Sequence, residues 1–132
     1  MEKVFINPPE LYKHPSYTRV ITVKGPCKFI YFAGQTPSGD NYEPVAVGDY
    51  KGQYERIMEA LTIQLAAAGA TWSDVVSRRT YTRDIDKLRA ATKDAKRPEN
   101  REFPPVSTMI EVNRLSHPDF LIEVEIVAVT EA

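Results

Sequence analysis

The stretch Phe120–Val129, FLIEVEIVAV, carries the strongest alternation in the chain. In an extended strand Ile122, Val124, Ile126 and Ala128 fall on one face. Glu123 and Glu125 fall on the other, followed by Val127 and Val129. The apolar face is the one that takes helices. Two carboxylates in the middle of a central strand then look into a second, partly polar space. That space is bulk solvent, a cleft or a subunit interface, and the alternation alone does not choose among them.

Reading outward from this strand, Ser107–Val112, STMIEV, is a second strand. Asp74–Arg83, DVVSRRTYTR, alternates and becomes rich in β-formers after its first residues. It puts Arg79, Tyr81 and Arg83 on one face and Arg78 on the other. A helix from about Ile85 to Ala95, with Asp84 as its cap, is stopped by Pro98. A longer helix runs from about Tyr50 to Ala68 behind Asp49. Its apolar stripe is Tyr54, Ile57, Met58, Leu61, Leu65 and Ala68. Gly69 fits the left-handed position just past its end. Lys28–Ala33, KFIYFA, reads as a buried strand ended by Gly34. Arg19–Val23 precedes it, and Lys24-Gly25-Pro26 suggests a hairpin turn between the two. A weaker strand starts the chain at Lys3–Ile6. The expected order is β-β-α-β-α-β-β, an α+β layout with two helices packed on one sheet.

The chain has 132 residues and no long linker, so a single domain spanning 1–132 is expected. Hydrophobic residues at 42% and charged residues at 27% are ordinary globular usage and exclude a disordered or fibrous class. Seventeen Lys and Arg against eighteen Asp and Glu leave a net charge of −1, so no global field draws the chain to nucleic acid or anionic lipid. So small a charge also permits self-association. A lone Cys27 cannot close an intramolecular disulfide, and His14 and His117 offer no ligand spacing for zinc. No phosphate-binding glycine loop is present. No metal and no cofactor are expected. No apolar segment reaches the ~20 residues a bilayer requires, and the N-terminus lacks an apolar leader, so a cytoplasmic protein without a membrane partner is expected.

Several segments taken in order resemble the YjgF/RidA family, the reactive intermediate deaminases. They are Phe32-Ala33-Gly34-Gln35-Thr36-Pro37, then Gln53 and the helix ending Leu65-Ala66-Ala67-Ala68-Gly69-Ala70, then Ser73-Asp74-Val75-Val76. Thr80-Tyr81-Thr82-Arg83-Asp84, Pro105–Val112 with Arg114-Leu115, and Ile122–Val129 complete the series. The resemblance implies a chorismate-mutase-like α+β fold and a homotrimer whose sheets close a central barrel, with ligand clefts between subunits. It implies a small-molecule substrate: members hydrolyse short-lived enamines and imines derived from amino acids to a keto acid and ammonia.

Residue by residue, the resemblance makes Glu123 the glutamate that orders the attacking water. Tyr17 becomes the cleft tyrosine and Gly34 the glycine whose backbone approaches the ligand. At the position of the family's carboxylate-binding arginine this chain has Ser107, with Thr108 beside it and Met109 two residues on. A serine hydroxyl does not replace a bidentate guanidinium. The substrate is therefore expected to be non-standard. Arg19, two residues after Tyr17 on the same side of an extended segment, is a candidate for the missing cation, and Ser107 and Thr108 offer hydroxyls to the ligand. The expected activity is a cofactor-independent hydrolase or deaminase acting on a small C–N compound. The alternative is a trimeric protein that binds a keto-acid-like metabolite without catalysis. A nucleic-acid partner is disfavoured, because Arg78 is turned away from Arg79, Tyr81 and Arg83.

Overall fold

The computed structural model describes residues 1–95 and 97–132. Its strands are β1 (Glu2–Ile6), β2 (Val20–Lys24), β3 (Cys27–Tyr31), β4 (Val75–Thr82), β5 (Val106–Glu111) and β6 (Ile122–Glu131). The helices are α1 (Tyr50–Ala67) and α2 (Ile85–Thr92), and a short 3₁₀ turn, Trp72–Asp74, leads into β4.

Local chemistry accounts for both ends of α1. The Asp49 carboxylate accepts the Gly52 N–H at 3.0 Å and satisfies one of the free donors of the first turn. At the other end Ala70 N–H bonds Leu65 O at 2.8 Å, and Gly69 N–H bonds Ala66 O at 3.0 Å. That pair of bonds is a Schellman ending, and it requires Gly69 at φ +75°. Asp84 caps α2 through Lys87 N–H. This helix stops at Thr92, one turn before the expected Ala95.

The main sheet has the order β3-β6-β4-β5. β6 lies between β3 and β4 and is antiparallel to both, while β5 is parallel to β4 across the α2 crossover. Residues paired across a ladder share a face. Ile122, Val124 and Ile126 therefore stand with Thr82, Thr80 and Arg78 under the helices. Ile57, Leu61 and Leu65 of α1, with Leu88 of α2, close the core against them. The opposite face carries Glu123 and Glu125 beside Tyr81 and Arg79, as the alternation required. It continues across β3 to Phe29 and Tyr31, which are 57% and 77% exposed.

The first hairpin differs from expectation. β2 pairs with β1, from Glu2↔Lys24 to Ile6↔Val20, while β3 pairs with β6, from Cys27↔Glu131 to Tyr31↔Val127. The strands thus form a four-stranded and a two-stranded sheet rather than one. Gly25, at φ +98°, turns the chain out of β2, and Pro26 has no N–H to give to a hairpin ladder. The apolar half of β6 offers β3 the better partner. The N-terminal strand, the weakest of those expected, is what holds β2.

Gln53 is fully buried at 0% exposure and ties the loops to the core. Its Nε2 donates to Val45 O and Asp119 O at 3.2 and 2.9 Å, and its Oε1 accepts Leu121 N–H at 2.9 Å.

Candidate functional site

Six of the seven expected site residues fall into two groups on this chain. Gly34 and Glu123 form the first. Gln35 and Val124 exchange backbone hydrogen bonds at 2.8 and 3.1 Å, which sets the end of the β3 segment against the start of β6. A Cβ added to Gly34 would overlap the Glu123 carboxylate at Oε2. Only glycine leaves that oxygen in place. Burial, and secondarily the like charge of Glu125, pushes the Glu123 carboxyl above the ordinary carboxylate value. None of the ion pairs among the described residues involves it.

Tyr17, Arg19, Ser107 and Thr108 form the second group, around a cavity of about 430 Å³. Thr18 holds this segment in place, with its N–H on Pro105 O and its hydroxyl on Pro104 O, directly ahead of β5. The Tyr17 ring is stacked on His14 at 4.6 Å between centroids. Arg19 lies over the same ring at 5.6 Å and also donates to Tyr12 O through Nε and Nη2. Its guanidinium is thus partly committed within its own loop.

Ser107 and Met109 share the helix-covered face, because Ser107 pairs with Arg78 and Met109 with Thr80. Thr108 pairs with Arg79 and faces the other way, the side of Glu123. Ser107 and Glu123 therefore point from opposite faces of one sheet. Met109 lines a narrow cavity of about 50 Å³ with Tyr54, Thr80 and Arg78.

Sequence reading did not assign Arg78 to the site. Its Nε and Nη2 both donate to the Ser107 hydroxyl, at 3.2 and 3.1 Å, so a guanidinium stands against residue 107 although it comes from β4. Its Nη1 is paired with the Glu99 carboxylate. A signal existed: alternation places Arg78 on the buried face, where a charge needs a partner.

The family model described as Endoribonuclease L-PSP matches residues 10–130. A RutC family protein of Pyrococcus abyssi is 34% identical over 103 residues, 78% of this chain and 80% of that protein. The chain belongs to the YjgF/RidA family. A second RutC family protein, from Pyrococcus horikoshii, is 31% identical over the same share of each. Among solved structures, YyfB of Yersinia pestis, a Rid family protein of unknown function, superposes with a TM-score of 0.79. It is 27% identical over 98% of this chain and all of its own. RidA from a Psychrobacter species shares the fold at a TM-score of 0.65, covering 86% of this chain and 88% of its own, with 19% identity. The YjgF/RidA chain described here is thus an α+β member whose position 107 is serine. Among its described residues no helix is long and apolar enough to cross a membrane, and no three metal-ligating side chains gather.

Proposed function

We propose that the protein is a cofactor-independent hydrolase of small imines or enamines, working as a homotrimer with its clefts between subunits. The observation that carries this reading is the Glu123 carboxylate, held against Gly34 and raised from the ordinary carboxylate value by burial. A carboxylate of this kind takes a proton from water and returns it within one reaction.

In the proposed reaction an enamine first takes a proton from solvent at carbon and becomes an iminium ion. Glu123 accepts a proton from water as the water oxygen bonds to the imine carbon. That proton then passes to the carbinolamine nitrogen and the C–N bond breaks, so that ammonia leaves while the hydroxyl gives its proton back to the Glu123 carboxylate and becomes the carbonyl. Gly34 supplies close backbone approach, Tyr17 an apolar wall with a hydroxyl, and Ser107 and Thr108 the strand against which the ligand lies.

The division of the site residues supports the trimer. Ser107 and Glu123 lie on opposite faces of one sheet, so a single small ligand meets both only if two copies supply them. Exposed Phe29 and Tyr31 give the Glu123 face an apolar reason to be covered. A ribonucleolytic reading has less support, because Arg79 and Tyr81 stand beside Glu125 and Glu123, which repel phosphate.

The test is ammonia release from enamines and imines generated in situ from a panel of amino acids. Turnover that disappears in Glu123→Gln supports the hydrolase. Saturable binding of keto acids with no acceleration for any panel member removes it and leaves the metabolite-binding alternative.

A further inference from the structure

Arg78 lines every one of the three cavities described in this chain. One opens toward Tyr17, Arg19 and Thr108. A second, about 390 Å³, is lined by Ser16, Arg78, Lys93, Arg97, Glu99 and Arg101. The third is the narrow space beneath α1 and α2. Among the described residues, four cations and one carboxylate around this small cavity leave a strong excess of positive charge.

The Arg78 and Glu99 side chains are only 11% and 9% exposed. Arg78 is fixed by its neighbours, with Nε and Nη2 on Ser107 Oγ and Nη2 also on Ser16 O at 3.3 Å. Glu99 enters from the Pro98–Pro105 segment and places a planar carboxylate on the remaining side of the fork. The Tyr54 hydroxyl is buried beside this pair and has no hydrogen-bond partner among the described residues. A buried hydroxyl without a partner is costly and marks a place where a polar group is missing. Burial, followed by the charge of Glu99, pushes Tyr54 up to about 12, so it remains a donor.

We propose that Arg78 is the anion anchor of this cavity, that Glu99 is an internal carboxylate competing for that anchor, and that the ligand is a small dicarboxylate. One ligand carboxylate replaces Glu99 on the Arg78 fork, within reach of the Ser107 hydroxyl. The second meets the rim cations Lys93, Arg97 and Arg101. Four cations balance both ligand carboxylates and the displaced Glu99, with one positive charge left over. The volume is at the small end of ligand pockets and suits a short chain. This inference rests on the site proposed above and names its substrate class.

The experiment is calorimetric titration of the full-length protein with glutarate and with butyrate, probes of similar reach that differ by one carboxylate. Wild type is expected to bind glutarate at least ~10-fold more tightly than butyrate. Glu99→Gln removes the competitor's charge and is expected to tighten glutarate binding ~10-fold. The double variant Arg78→Gln/Glu99→Gln carries no unpaired buried charge. It is expected to melt close to wild type and to bind glutarate at least ~10-fold more weakly than wild type. If Glu99→Gln leaves affinity unchanged or weakens it, Glu99 is a structural partner and the proposal falls. Equal binding of the two probes, or glutarate binding retained in the double variant, also overturns it. Failure of the hydrolase reading looks different: this binding pattern persists while no enamine is turned over. Turnover whose KM is unmoved by Arg78→Gln/Glu99→Gln removes the anchor and keeps the hydrolase.

Discussion

Gly34 and Glu123 are in contact across the junction of the β3 segment and β6, and the space a Gly34 side chain would need is the space Glu123 Oε2 fills. The atom in the way is the far end of a flexible side chain. Gly34→Ala should therefore cost little stability, within about 1 kcal/mol, and should turn the carboxylate aside. Misplacing a reacting group by about 1 Å costs roughly 100-fold. Gly34→Ala is expected to lose turnover by that order with a melting temperature within about 5 °C of wild type. Glu123→Gln is expected to lose roughly 100- to 10,000-fold in kcat. Steady-state ammonia release on the best panel substrate checks both.

The raised Glu123 carboxyl has a direct consequence for pH dependence. In the proposed mechanism the base works only when ionised, so activity should rise with pH as Glu123 loses its proton, at a pH above the ordinary carboxylate value of 4.5. Burial is the first cause of the shift and the Glu125 charge the second. Glu125→Gln removes the second cause and leaves the first. The acid limb of the kcat/KM profile should therefore move to lower pH in Glu125→Gln without reaching the value of a free carboxylate. A limb that does not move, or moves upward, separates Glu125 from the titration.

Gln53 tests how far the loops depend on a single polar side chain. Replacing it with Leu keeps the approximate volume and abandons the backbone groups of Val45, Asp119 and Leu121. A buried group left unpaired costs roughly 1–3 kcal/mol, and partial rehydration recovers some of this, so a net loss of about 3 kcal/mol is expected. Urea unfolding at fixed protein concentration measures it.

Much of this architecture is readable in particular residues, and some is not. The ten-residue alternation of Phe120–Val129 put Ile122, Val124, Ile126 and Ala128 under the helices, where they lie. Asp49 and Gly69 marked the ends of α1 through cap chemistry that needs no tertiary context. The β2–β3 hairpin was misleading because Gly25-Pro26 is a turn signal that does not say which strand comes next to which. Pairing was decided by β1 and β6, whose partner residues lie at least 14 and 96 positions away. Arg78 was legible as a charge on a buried face. Its partner Glu99 lies in the aperiodic segment KRPENREFPP, where no spacing rule points anywhere. Gln53 stands in the α1 stripe as a polar residue, and only the loops folded over it show why.

The exposed aromatic pair on β3 bears on assembly. Phe29 and Tyr31 stand on the Glu123 face, next to Val129 and Val127 of β6. Neither belongs to the helix-covered core, so a charge there should leave the subunit folded. Phe29→Asp/Tyr31→Asp is expected to sediment as a 14.9 kDa monomer with wild-type far-ultraviolet circular dichroism. An oligomer unchanged in mass would move the interface to another face.

Subunit mixing gives the strictest test of the divided site. Arg78 and Ser107 share the helix-covered face while Glu123 faces away from it, so the proposed cleft takes the Arg78 side from one copy and the Glu123 side from its neighbour. Arg78→Gln/Glu99→Gln and Glu123→Gln should each be nearly inactive alone, the first through KM and the second through kcat. When equal amounts are unfolded together and refolded, about a quarter of the clefts in randomly assorted trimers receive both intact halves. Activity near a quarter of wild type, with wild-type KM, is therefore expected at substrate concentrations at or below that KM, where the clefts lacking the Arg78 side contribute little. Had one chain supplied both halves, every cleft in the mixture would remain defective. No restoration on mixing, with trimers confirmed by sedimentation, would place the cleft within a single subunit.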